Sequence, residues 1–156
     1  VGFLAESLWA SDKVSPGERE GGKASDLHNH VVIAGYGLNG RNLAQVLGEL
    51  EVPYTIIEHN AHCVRQARAG GEHILYGDAA RRKLLDLAGI ETARVFVLTI
   101  SDSHAARRAV SLARSMNKEL YIVARARRIA EITDLERLGA NEVVPEDLET
   151  GIEIFA

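Results

Sequence analysis

The chain has 156 residues, 46% of them hydrophobic and 26% charged, and a formal net charge of −4. That length suits one domain with its own core. The acidic balance gives no support to a nucleic-acid partner, which shows itself as a basic surplus. The single cysteine, Cys63, excludes an internal disulfide and a Cys-based zinc cluster, and it points to a reducing, cytoplasmic setting. No uninterrupted apolar run approaches the roughly 20 residues of a membrane span.

Residues 1–9 are apolar but too short to span a bilayer, and they lack the basic start of a signal peptide. Residues 10–26 carry Ser, Asp, Lys, Pro and Gly, so 1–28 reads as an N-terminal tail and linker. A linker there implies a preceding segment; a frayed terminus is the other reading. From His30 the pattern alternates. Val31–Tyr36 is the first expected strand, and a helix follows over 39–50 with Leu43, Val46, Leu47 and Leu50 on one face. Pro53 turns the chain into a second strand, Tyr54–Glu58. Asn60 is placed to cap a helix over 61–69 that Gly70 and Gly71 end. His73–Gly77 is the third strand. Asp78 is placed to cap the helix carrying Leu84, Leu85, Leu87 and Ala88. Arg94–Ile100 is nearly all apolar, as a central strand covered on both faces must be. Ser101 or Asp102 caps a helix with Ala105, Ala109, Leu112, Ala113 and Met116 on one face. Leu120–Ala124 is the fifth strand, and a helix from Arg128 ends at Gly139. Glu142–Val144 is the sixth strand, closed by Pro145. Asp147 caps a last segment with Leu148, Ile152 and Phe155 at helical spacing.

Strands alternating with helices over short turns predict an α/β fold. The expected form is a doubly wound, Rossmann-like sheet of six parallel strands with helices on both faces. Ligands of such sheets bind outside the carboxyl ends of the strands. Gly35, Tyr36, Gly37, Leu38, Asn39 and Gly40 lie there in a G-x-G-x-x-G pattern between a strand and a helix. The pattern is weak on its own. Its context strengthens it, because Glu58 ends the next strand, where a carboxylate can accept hydrogen bonds from both hydroxyls of an adenosine ribose. That carboxylate also repels a 2′-phosphate and so disfavours NADP. His59, Asp78, Ala79, Thr99 and Arg125 complete the set placed by topology. Helix capping explains Asp78 equally well, and its backbone with Ala79 could edge an adenine.

Other features carry less. Ser101-Asp102-Ser103-His104 looks catalytic, but it shows no third orienting group or oxyanion site, so capping explains it better. The histidines show no zinc spacing, and no metal site is expected. Cys63 reads as a small buried residue. Arg81-Arg82-Lys83 and Arg125/Arg127/Arg128 read as solvated faces, Arg125 excepted because it could reach a phosphate. No tyrosine is followed by Lys four positions on, and no substrate domain is recognisable. A binding module without catalytic residues fits better than an enzyme. The alternative is a stand-alone NAD-dependent oxidoreductase or its fragment.

The runs Val-Val-Ile-Ala-Gly-Tyr-Gly-Leu-Asn-Gly-Arg, Ile-Ile-Glu-His-Asn, Leu-Tyr-Gly-Asp-Ala, Val-Leu-Thr-Ile-Ser-Asp and Gly-Ala-Asn-Glu-Val-Val-Pro-Glu resemble the RCK domain, also called the Trk N-terminal or KTN domain. The resemblance covers roughly residues 29–156. The Glu-Thr-Gly-Ile-Glu-Ile-Phe ending is most similar to the cytosolic domain of Kef-type potassium/proton antiporters. It implies a nucleotide-sensing regulatory domain on the cytoplasmic side of the cell membrane. The implied partners are a second copy, through a crossover helix at 147–156, and a membrane transport domain on the same or a partner chain. A separate Trk- or Ktr-like soluble subunit is the further alternative. Family ligands include NAD(H), AMP, ADP and ATP. Several relatives carry Arg at the position of Leu38, where it contacts terminal phosphates. Leu38 does not supply that contact, so NAD(H) or AMP is expected ahead of ATP or ADP, and Arg41 is the candidate substitute.

Overall fold

A computed structural model of the chain describes residues 26–146. Within them, six short apolar runs pair into one all-parallel sheet. The strands are β1 (Val31–Ala34), β2 (Tyr54–Glu58), β3 (Ile74–Tyr76), β4 (Val95–Leu98), β5 (Tyr121–Ala126) and β6 (Glu142–Pro145). Their spatial order is β3-β2-β1-β4-β5-β6. The helices between them are α1 (Leu38–Glu49), α2 (Ala61–Ala69), α3 (Arg82–Leu87), α4 (Ser103–Met116) and α5 (Ile132–Leu138). The expected six-stranded doubly wound architecture is thus the observed one. The terminal segment with Leu148, Ile152 and Phe155, and residues 1–25, lie outside the described residues.

Alternating strand residues feed two cores. Val31, Ile33 and Ile56 meet α1 and α2 through Ala44, Leu47, Val64 and Ala67. Val32, Ala34, Phe96, Leu98, Ile122 and Ala124 meet α3, α4 and α5 on the other face. Burial on both sides is why β4 is apolar throughout. In α4 the fully covered residues are Ala106, Ala109, Val110 and Ala113. Their small side chains let the helix lie close to Phe96 and Ile122.

Several boundaries differ from expectation. β1 stops at Ala34 because Gly35 takes φ +104°, which breaks the extended run. The buried stripe of α1 is Gly40, Ala44 and Leu47, whereas Val46 and Leu50 are exposed. Close packing of Gly40 on the β1 turn sets the rotation of the helix, and Ala44 and Leu47 follow at i+4 and i+7. Asp78 does not cap α3, which starts at Arg82 with no side-chain cap. Its Oδ1 instead accepts from the Ala80 N–H at 2.8 Å, closing a local turn. Asn60 and Asp102 do cap α2 and α4, each accepting two N–H bonds. α5 begins only at Ile132, after a short 3-10 turn over Ile129–Glu131. β5 continues two residues beyond Ala124, because Arg125 and Ala126 pair with Val144 and Pro145 of β6.

Candidate functional site

The sheet order reverses between β1 and β4, and the turn after β1 opens at that point. At Gly35 a Cβ would lie 2.6 Å from Thr99 Oγ1. At Gly40 a Cβ would overlap the Gly35 carbonyl oxygen. Around Gly37 nothing lies within 4 Å of where a Cβ would sit, so the backbone there faces open space. The Thr99 N–H donates to the Ala34 carbonyl at 2.8 Å. Its hydroxyl lies 3.2 Å from that oxygen and 3.1 Å from the Gly35 carbonyl. Thr99 therefore holds the turn by its backbone and its side chain. Helix α1 starts on Gly37 with no side-chain cap and no acidic residue in its first turn. Its leading N–H groups keep their partial positive charge.

Glu58 stands beside this turn and is only 7% exposed. Its Oε2 accepts the Tyr36 N–H at 2.7 Å, and its Oε1 accepts the Asn60 N–H at 2.8 Å. Two backbone donors fix the carboxylate in orientation, and each oxygen retains a lone pair for a further donor. The exposed His59 places Nδ1 3.3 Å from Oε1. The end of β3 completes this side: the Gly77 N–H donates to the Glu58 carbonyl at 2.9 Å, followed by half-buried Asp78 and buried Ala79. Leu38 and Asn39 are exposed at the tip of the turn, Leu38 by 76%.

Arg125 lies on the other side of β1 from Glu58. It lies on β5, beyond β4, and its guanidinium pairs with Glu146 at 3.1 Å. It lines a small cleft with Ser101, Ser103, Arg107, Arg127 and Glu131. There the Ser103 hydroxyl donates to Glu131 Oε1 at 2.7 Å. That bond, with the N–H groups of Arg127 and Arg128, holds the Glu131 carboxyl below its ordinary range. Spacing does not reveal this pairing, because it joins the start of α4 to the 3-10 turn 28 residues on. Sequence reasoning also missed the seating of Arg41. Its Nε–H donates to the Tyr36 carbonyl at 3.2 Å, and its guanidinium lies 5.5 Å from the Tyr36 ring centroid. Among the described residues, no group of His, Cys, Asp or Glu is arranged to hold a metal ion.

The family model of the TrkA-N domain matches residues 31–146, from the first residue of β1 to just past β6. The chain belongs to the TrkA-N domain family. It is 34% identical over 126 residues to a putative K(+) efflux antiporter KefB of Alkalimonas amylolytica, covering 81% of this chain and 19% of that protein. The chain thus spans about a fifth of that relative. The crystal structure of the TrkA-N domain of the inner membrane protein YbaL from Escherichia coli superposes with a TM-score of 0.79 at 32% identity. It covers 83% of this chain and 96% of that one. The AMP-bound Kef C-terminal domain of Shewanella denitrificans superposes with a TM-score of 0.71 at 30% identity, covering 81% and 76%. No helix among the described residues of this TrkA-N domain is long and apolar enough to cross a membrane.

Proposed function

We propose that this TrkA-N domain is a nucleotide sensor that binds NAD(H) or AMP between the glycine turn and Glu58. In this reading it regulates a Kef-type potassium/proton antiporter from the cytoplasmic side. The observation that carries it is a buried, oriented carboxylate directly beside an open glycine turn and an uncapped helix start. The ribose hydroxyls would donate to Glu58. The phosphate would lie over Gly37 against the leading N–H groups of α1. Adenine would sit toward Asp78 and Ala79, and Thr99 would act by holding the turn. The AMP-bound Kef relative supports the ligand class. Residues 147–156 would pair with a second copy, and bound nucleotide would favour one arrangement of the pair. The regulatory free energy is limited to the ligand's differential affinity for the two states.

Denaturing the purified protein and identifying any released nucleotide by mass spectrometry tests the ligand class. Calorimetry with NADH and AMP then measures affinity. Binding of either, weakened in Glu58→Ala, is the expected result. No binding, or hydride transfer to a substrate at useful turnover, would overturn the sensor reading.

A further inference from the structure

We infer that Arg41 is the residue that neutralises the nucleotide's phosphate in this site, an assignment that rests on the nucleotide reading above. Arg41 lies one turn into α1, where its N–H closes the first helical bond on the Gly37 carbonyl at 3.0 Å. Its side chain folds back past the helix start. Two contacts hold it there, the Nε–H bond to the Tyr36 carbonyl and the stack on the Tyr36 ring. A guanidinium fixed in this way loses less rotamer freedom on meeting an anion than an unanchored one. Its two terminal amines make no hydrogen bond or ion pair among the described residues. No acidic residue in the first turn of α1 competes for it. The rest of the turn brings no charge: Leu38 and Asn39 are exposed and neutral, and Arg41 is the one cation from Gly35 to Glu49. The same Tyr36 that anchors Arg41 through its carbonyl binds Glu58 through its N–H. One residue therefore contacts both the cation and the proposed ribose acceptor.

The test compares AMP, NADH and adenosine by calorimetry on the wild-type protein, Arg41→Gln and Arg41→Lys. Arg41 is exposed, so both variants should fold, which the melting curve checks. Arg41→Gln is expected to weaken AMP and NADH about tenfold, the scale of a charge-assisted hydrogen bond, while adenosine affinity stays within about twofold. Arg41→Lys keeps the charge without the planar fork and should recover part of the loss. Parallel losses for adenosine and AMP would mean that Arg41 only shapes the turn, overturning the inference while leaving the nucleotide reading in place. Unchanged AMP affinity in Arg41→Gln would do the same. A wild-type protein that binds none of the three overturns both.

Discussion

Glu58 shows how one side chain serves fold and site together. Its two oxygens accept backbone N–H bonds from Tyr36 and Asn60, so it ties the glycine turn to the start of α2. Glu58→Gln puts an amide NH2 where one of those donors points. It should lower unfolding free energy by about 1–3 kcal/mol, the usual size of a charged hydrogen bond lost in a covered place. Urea unfolding measures this directly, and an unchanged midpoint would show that neither bond contributes. His30 offers a second test at this scale. It is fully covered, and its Nε2 lies 2.7 Å from the Ala88 carbonyl. Nδ1 meets no partner among the described residues. Burial pushes its pKa below the ordinary 6.5, with the Ala88 carbonyl opposing. The unfolded chain therefore binds the proton more readily. Stability should fall as pH drops through 6.5, at no more than about 1.4 kcal/mol per pH unit from this group. His30→Gln keeps an N–H donor at the Nε2 position and should flatten that slope relative to wild type. Identical slopes for both proteins would remove His30 as its source.

At the level of elements, the glycine turn separates two steric roles that look alike in sequence. Gly37→Val puts a side chain into open space. It should leave the melting transition within about 1 kcal/mol of wild type, the range of helix-start substitutions, yet abolish AMP and NADH binding. Gly40→Ala drives a methyl into the Gly35 carbonyl oxygen. It should destabilise the fold by about 1–3 kcal/mol, as overpacking does. Comparable melting of the two variants would show that the turn has slack. This turn was legible from sequence because strand, glycines and helix each leave a pattern. Asp78 was not, since a helix cap and a local turn both use an aspartate accepting an N–H two residues on. The end of β5 was drawn two residues short because it depends on pairing with β6, and nothing in the Ala-Arg-Ala-Arg run marks it. The rotation of α1 was misread for a related reason. Val46 and Leu50 fit a helical stripe, but the contact of Gly40 with the turn overrides that stripe.

Across the whole molecule, fold class and strand alternation followed from periodicity, while the cluster at the strand ends was visible only as a list of positions. The sheet order turned that list into neighbours, with the β3 end on one side of β1 and the β4 and β5 ends on the other. A ligand seated across β1, β2 and β3 binds the folded chain alone, so it must raise global stability by mass action. At about one hundred times its dissociation constant, AMP or NADH should add about 2.7 kcal/mol to the unfolding free energy. Thermal melting with and without nucleotide reads this out, and no upward shift at saturating concentration would contradict a native-state site.

The contact of Thr99 with the Ala34 and Gly35 carbonyls bears on how such a domain can signal. The β1–β4 ladder runs in register along its full length, and Thr99 fastens its upper end with a backbone and a side-chain bond. These bonds tie the two halves of the sheet together at the crevice where they meet. A nucleotide bound there, as proposed, would rest on a turn whose strand is paired on both sides. In that position it would add negative charge beside α1 on a chain that is already acidic overall. On the proposed reading, a neighbouring surface would meet a change of field as well as any change in arrangement.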